Sequence, residues 1–138
     1  MDGIYFFSFV FWIFLIFVAI ANAGVREKIL ENKLNKLKSH QVSTISLSIF
    51  IFLFSFVFFS IMRFNALEYQ YFIVGLMWTL LTVSFEFIFG YFVAKKTIKT
   101  LISDYNIFKG KIWILVLIVT FLSPWLINKI TESFILIP

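Results

Sequence analysis

The chain has 138 residues, of which 62% are hydrophobic and 14% are charged, and its formal net charge is +5. A soluble domain is nearer half apolar and a quarter charged, so the composition excludes an ordinary soluble protein. Cysteine is absent, which excludes disulfides, thiolate nucleophiles and cysteine-ligated metal sites. The basic residues cluster beside apolar runs, which favours a role in membrane orientation over nucleic-acid binding.

The first apolar run covers residues 4–23 and is long enough to cross a bilayer as one helix. The tripeptide Ala21-Asn22-Ala23 fits the A-x-A pattern of a signal-peptide cleavage site. However, the run is longer than the apolar region of a usual signal peptide, and the start Met1-Asp2-Gly3 carries no Lys or Arg. We therefore predict that this run is retained as a transmembrane helix.

A basic segment, residues 24–44, leads to the second apolar run at residues 45–62. Apolar residues recur in the basic segment at roughly helical spacing: Val25, Ile29, Leu34 and Leu37. The spacing predicts an amphipathic helical extension of the first span, and the alternative is a surface for a partner or for anionic lipid. The only histidine, His40, lies here, and we expect it to be solvated rather than part of a metal site or a triad.

The third run covers residues 72–94 and contains one carboxylate, Glu86. Small and polar residues in this run lie 4, 3, 4 and 4 positions apart on one helical face: Gly75, Thr79, Thr82, Glu86 and Gly90. Such faces usually mediate contacts between membrane helices, so Gly75, Thr79 and Gly90 are predicted packing positions. An acidic group at the bilayer centre costs about 2.5–3.5 kcal/mol on insertion scales, so we expect Glu86 to face the protein interior.

Glu86 precedes Lys95 by nine residues, which places it about 13 Å from the cytoplasmic end of the helix. No Lys or Arg lies at that depth in any span, so an ion pair within one copy is not expected. Hydroxyl groups do lie at similar depth: Thr120, Ser55 and Ser48. Three environments stay open for Glu86, namely a protonated carboxyl bonded to hydroxyls, a water-filled cavity, or an interface between copies. Glu86, Thr82 and Thr120 are the candidate proton or cation site, and a structural tether between helices is the alternative.

A second basic loop, residues 95–111, precedes the fourth and shortest apolar run, residues 112–127. Apolar residues again follow a helical spacing in the loop: Ile98, Leu101, Ile102, Tyr105 and Phe108. We predict that Gly110 ends this helix and that Pro124 kinks the fourth span, with a shaped cavity opposite Glu86 as the alternative role of the proline.

A polar cluster in this loop lies between the third and fourth spans: Asp104, Tyr105, Asn106 and Lys109. Asp and Asn side chains bond to their own backbone in turns, and Lys anchors at lipid headgroups, so the cluster is typical of a turn. The alternative is a polar entrance or a contact with a partner.

The Lys and Arg residues predict the orientation of the chain. Ten of them lie in the segments 24–44 and 95–111, and two, Arg63 and Lys129, lie on the other side. The positive-inside rule then places both basic loops in the cytoplasm and both termini outside the cell (inner) membrane. The sequence thus predicts an all-α membrane protein of one domain, residues 1–138. Its four transmembrane helices would form an antiparallel bundle with amphipathic cytoplasmic extensions.

Residues 77–124, about a third of the chain, resemble a group of small bacterial membrane proteins. The shared pattern is F-E-F-x-F-G in one span, a D-Y-N or D-Y-D element, a basic-Gly-basic turn, a Trp and a later Pro. The corresponding residues here are Phe85-Glu86-Phe87, Phe89-Gly90, Asp104-Tyr105-Asn106, Lys109-Gly110-Lys111, Trp113 and Pro124. The resemblance implies a four-helix integral membrane protein and implies no particular activity.

The sequence favours an oligomeric transporter or channel component that uses Glu86 to carry protons or cations. Because four short spans enclose little volume, we expect its pore or substrate site between copies of the chain. The alternative is an accessory or scaffold subunit of a larger membrane complex, with Glu86 as a packing tether. An enzyme acting on lipid is the weakest hypothesis, because Glu86 and Asp104 are about 18 residues apart and no nucleophile–base pair is present.

We predict no catalytic residue, metal or cofactor. The expected partners are the bilayer and either further copies or a larger complex, and not nucleic acid.

Overall fold

A computed structural model describes residues 3–135, which form helices and turns without a strand. Four helices in this range are long and apolar enough to cross a membrane: Ile4–Lys33, Lys36–Met62, Glu68–Phe92 and Ile114–Phe134. The prediction of an all-helical chain with four candidate spans is therefore confirmed, and the chain fits a multi-pass membrane protein. The acidic start at Asp2 and residues 136–138, both predicted to face outside, lie outside the described residues.

The first basic loop is helical almost throughout. Helix α1 (Ile4–Val25) continues through a π-helical turn (Arg26–Leu30) into the short helix α2 (Glu31–Lys33). The chain then adopts an extended conformation at Leu34, with φ −124° and ψ 161°. The predicted helical extension of the first span is thus present as far as Lys33. Two residues, Leu34 and Asn35, separate it from the next helix.

Helix α3 (Lys36–Met62) begins well before the apolar run at residues 45–62, because Asn35 caps it. The Asn35 side chain accepts a hydrogen bond of 2.8 Å from the backbone N–H of Lys38, which satisfies one free donor of the first turn. At its other end Arg63 adopts a left-handed conformation with φ 47°, and a short connection leads to helix α4 (Glu68–Phe92).

The chain turns back on itself after α4 instead of continuing as one helix into the second basic loop. Lys95 adopts a left-handed conformation with φ 57°, and the N–H of Lys96 donates to the carbonyl of Gly90 at 2.8 Å. Helix α5 (Ile98–Ser103) follows, and the Thr97 side chain accepts a bond of 3.1 Å from the N–H of Thr100 at its start. The predicted helical segment of this loop therefore exists, but as a separate helix rather than as a straight extension of the third span.

A turn at Gly110 connects the loop to the last helix. A 3-10 turn (Ile107–Lys109) leads to Gly110, whose φ of 80° favours glycine, as predicted for a helix-ending position. The Gly110 carbonyl accepts a hydrogen bond of 3.0 Å from the Gln41 side chain, which fastens the turn to α3. Helix α6 (Ile114–Ile135) then runs without interruption through Pro124.

Helix α6 packs against both α3 and α4, and α1 packs against the same two helices. Trp78 of α4 is fully buried in this arrangement, and its indole N–H donates to the carbonyl of Ser8 in α1 at 2.9 Å. The apolar core around it contains Leu47, Val74, Val116 and Ile127. At one end of the α4–α6 contact the carboxylate of Glu68 accepts from Trp125 at 2.8 Å and pairs with Lys129 at 3.1 Å. The contact between Glu86 and Trp113 forms the other end.

Candidate functional site

A cavity of about 230 Å³ lies among the four long helices and helix α5. Part of its wall is apolar and comes from the long helices: Leu15, Leu47, Ile51 and Val116. Another part comes from the beginning of α3 and from the basic loops: Arg26, His40, Lys96 and Asp104. The cavity thus connects the apolar interior of the four helices with the two segments that carry most of the positive charge.

Glu86 lines this cavity and binds two neutral hydrogen-bond donors. The Tyr105 hydroxyl donates to one carboxylate oxygen of Glu86, and the Trp113 indole N–H donates to the other. No ion pair with Glu86 occurs within residues 3–135. The carboxyl group of Glu86 therefore faces the cavity and bonds to two groups of the same chain.

Tyr105 reaches Glu86 because the chain folds back after α4. Its ring lies parallel to that of Phe87, with an interplanar angle of 4° and 6.4 Å between centroids. Beside it, Asp104 forms an ion pair of 3.6 Å with Lys111, which closes the turn. Burial raises the pKa of the Tyr105 phenol above its ordinary value, and the hydrogen bond to Glu86 acts in the same direction.

The predicted site residues Thr82 and Thr120 also line the cavity, but neither bonds to Glu86. The Thr82 hydroxyl accepts a hydrogen bond of 3.0 Å from the Trp12 indole, and the Thr120 hydroxyl donates to the Val116 carbonyl at 2.7 Å. The hydroxyls of Thr82 and Thr120 thus bond elsewhere, and the phenol of Tyr105 and the indole of Trp113 occupy the positions that we expected hydroxyls to fill.

The small-residue face of α4 is occupied by other parts of the same chain. A Cβ atom on Gly75 would lie 2.1 Å from the Phe121 carbonyl oxygen of α6, so the two helices touch here. The Thr79 hydroxyl donates to the Gly75 carbonyl at 2.8 Å. Leu101 of α5 covers Gly90, where an added Cβ would lie 2.5 Å from its side chain.

The polar loop cluster divides between two roles. Asp104 and Tyr105 line the cavity, so the structure joins this part of the cluster to the Glu86 site. Asn106 and Lys109 form the turn instead, since the Asn106 carbonyl accepts from the N–H groups of Lys109 and Lys111, each at 3.2 Å. The turn interpretation of the cluster thus fits Asn106 and Lys109, and the polar entrance stays a prediction for Asp104 and Tyr105.

The expectation that His40 is solvated is wrong. Its side chain is 7% exposed, lines the cavity and has its ring centre 6.5 Å from that of Trp113. The reason is that α3 begins at Lys36, so the Lys-rich segment is already part of a helix whose inner face is buried. The same inner face carries further buried hydroxyl residues: Ser39, Ser43, Thr44 and Ser48.

Sequence reasoning missed Trp12, Trp113 and His40 as residues of the site. Trp113 belongs to the pattern that residues 77–124 share with small bacterial membrane proteins, and this pattern is the sequence signal for its proximity to Glu86. Within residues 3–135, no group of three or more His, Cys, Asp or Glu side chains is arranged to hold a metal ion.

The chain matches no protein-family model, no curated protein and no solved structure. The functional argument therefore rests on the geometry of the cavity.

Proposed function

We propose that this chain is a transporter or channel component that carries protons or cations across the cell membrane, with Glu86 as the ion-binding group. The observation that supports this best is the position of Glu86 in the cavity, bonded to two neutral donors and to no cation among the described residues. An ionisable residue within a membrane helix faces a cavity or a partner and is functional in most known cases.

The ion class follows from the charge of the site. The phenol of Tyr105 and the indole of Trp113 donate hydrogen bonds to the carboxylate but bring no positive charge. A proton or a small cation would supply that charge and so gain free energy by binding at Glu86. At the loop end of the cavity, Arg26 lies 3.9 Å from Glu27 and Lys111 lies 3.6 Å from Asp104, so some of the basic groups there are already paired.

The proposal includes the arrangement of the chain in the membrane. We infer an antiparallel bundle of four transmembrane helices with both basic loops in the cytoplasm and both termini outside. The support is the distribution of Lys and Arg, ten against two, and the contacts that join Glu68 to Lys129 and Glu86 to Trp113 at opposite ends of α4 and α6. In this arrangement the cavity opens toward the cytoplasm.

The cavity is formed by one chain, whereas the sequence led us to expect a site between copies. Assembly into a homo-oligomer stays part of the proposal, because a cavity that reaches the cytoplasmic loops still needs a path to the outer side. The accessory-subunit hypothesis has less support, since α5 and α6 cover the small-residue face, which leaves the basic loops as its binding surface.

The test is ion flux in proteoliposomes. Purified chain is reconstituted with an internal pH dye, and proton uptake is followed after a membrane potential is imposed, with Na⁺ or K⁺ as the alternative cations. Glu86→Gln keeps the size of the side chain and one of its two acceptor oxygens but removes its charge, so we expect flux to fall about tenfold or more. Glu132→Gln, the same change in an exposed residue outside the cavity, should leave flux unchanged.

Equal flux from Glu86→Gln and the native chain would overturn the proposal. Thermal unfolding in detergent is measured in parallel, because a tether role predicts that Glu86→Leu separates the helices and lowers stability. If Glu86→Gln unfolds like the native chain and still loses flux, the loss belongs to ion binding and not to packing.

A further inference from the structure

His40 is a buried titratable residue of the cavity wall, and one of its ring nitrogens lacks a hydrogen-bond partner among the described residues. Its side chain is 7% exposed, and its Nε2 atom has no hydrogen-bond partner within residues 3–135. A buried polar atom without a partner costs about 1–3 kcal/mol, so such atoms usually meet water or a ligand. Glu86 lines the same cavity as His40.

One side chain connects the two groups. The Trp113 indole donates its N–H to Glu86, and its ring centre lies 6.5 Å from that of His40. The cavity has a volume of about 230 Å³, and its mostly apolar wall includes the polar residues Glu86, Tyr105 and His40. This volume has room for several water molecules beside those residues, since one water needs roughly 10–15 Å³ of such space and polar partners.

We propose that His40 is a second proton-binding group of the cavity and exchanges protons with Glu86 through the water that the cavity admits. In this step one N–H bond of the imidazolium breaks, and an O–H bond forms on the Glu86 carboxylate by way of water. The imidazole becomes neutral and regains a proton from the loop end of the cavity. The direction of net transfer rests on the proposed function, whereas the exchange between the two groups does not.

The charged groups nearest to His40 come from several elements. Three are the cations Lys111, Arg26 and Lys96, and one is the anion Asp104. Lys111 pairs with Asp104, and Arg26 lies beside Glu27. Tyr105 and Glu86 complete the titratable groups that line the cavity near Asp104 and His40.

The test uses the fact that His40 is the only histidine of the chain. Protein with ¹⁵N-labelled histidine is placed in lipid nanodiscs, and the two ring-nitrogen resonances are followed against pH in the native chain, Glu86→Gln and Glu132→Gln. A nearby carboxylate favours the imidazolium, so Glu86→Gln should move the midpoint to lower pH by about 0.5 units or more. Glu132→Gln should not move it.

Flux through His40→Gln supplies the second measurement. This variant keeps a polar side chain but cannot carry a proton, and we expect a loss of several-fold in flux with an altered pH profile. Thr44→Val, a change of similar size on the same buried face but outside the cavity, should keep the native profile.

The outcomes separate the two proposals. A midpoint that does not respond to Glu86→Gln overturns the role of His40, even if Glu86→Gln abolishes flux. A midpoint that responds in a chain without measurable flux supports the His40–Glu86 exchange and overturns the transport function. An imidazole that does not titrate between the acid and alkaline limits of the folded protein also overturns the role of His40.

Discussion

Glu86 shows how a single residue can organise a membrane site. Its carboxyl group would be costly in lipid, and the chain encloses it with a phenol from the second loop and an indole from the segment before α6. Each donor comes from a different part of the chain, so the carboxyl group also fastens the loop to α4. Binding of an ion at Glu86 would consequently change its hydrogen bonds to the segment between α4 and α6.

Tyr105 gives a prediction at this scale through its titration. The folded chain holds the phenol proton of Tyr105 more tightly than the unfolded chain does. The stability that this protonated phenol contributes is therefore fully present below the ordinary tyrosine pKa of about 10, and it is lost as the pH rises above that value. In Tyr105→Phe this contribution is absent, so its unfolding temperature should fall less than that of the native chain between mildly and strongly alkaline pH. Thermal unfolding of both proteins across this range checks the prediction, and identical declines would contradict it.

The importance of Glu86 could be predicted from the sequence, but its partners could not. A carboxylate in an apolar run is visible in hydropathy, and the spacing of Gly75, Thr79 and Gly90 shows which face carries it. The partners Tyr105 and Trp113 lie 19 and 27 residues further along the chain, in segments that polarity assigns to the loop and its border. Bringing them to Glu86 depends on the reversal after Phe92, which is a tertiary feature.

At the level of elements, the contact between α4 and α6 is set by the absence of a side chain at Gly75. The backbone of α6 approaches so closely that the Phe121 carbonyl oxygen occupies the position of a side chain. Small residues permit this approach between membrane helices, where packing rather than the hydrophobic effect drives association.

Gly75→Ala tests this contact, and two other glycine substitutions serve for comparison. Gly75→Ala places a methyl group against rigid backbone, so we expect a loss of about 1–3 kcal/mol in the free energy of unfolding. Gly90→Ala meets the end of the Leu101 side chain, which can rotate, and should lose less. Gly24→Ala is the control, because no atom lies within 4 Å of its new methyl group and alanine favours helix by up to about 1 kcal/mol.

Unfolding by denaturing detergent, followed by circular dichroism, measures the three differences. If Gly75→Ala proves as stable as Gly24→Ala, the close approach of α4 and α6 is not present in the membrane.

The helices themselves were more predictable than their ends. Apolar runs of about 20 residues predict spans because each must bury its backbone polar groups within itself. The reversal at Lys95 has no such signal, since the sequence there contains neither glycine nor proline. The early start of α3 likewise depends on the cap at Asn35, which buries His40 although its neighbours are polar.

At the scale of the whole molecule, charge and cavity are related. The two basic segments that would hold the loops in the cytoplasm also provide Arg26 and Lys96 to the cavity wall. If the basic loops face the cytoplasm, the part of the cavity wall that they form lies on the cytoplasmic side too.

The orientation gives the last prediction, and the absence of cysteine makes it directly measurable. Asn32→Cys, in the first basic loop, and Asn65→Cys, between α3 and α4, place one thiol each at exposed positions without changing the net charge. In intact cells a membrane-impermeant maleimide should label Asn65→Cys, while Asn32→Cys should react only after the membrane is permeabilised, because the positive-inside rule keeps its loop in the cytoplasm. Labelling of Asn32→Cys in intact cells would invert the bundle and turn the cavity toward the outside. Labelling of both variants in intact cells would mean that the chain between them does not cross the membrane.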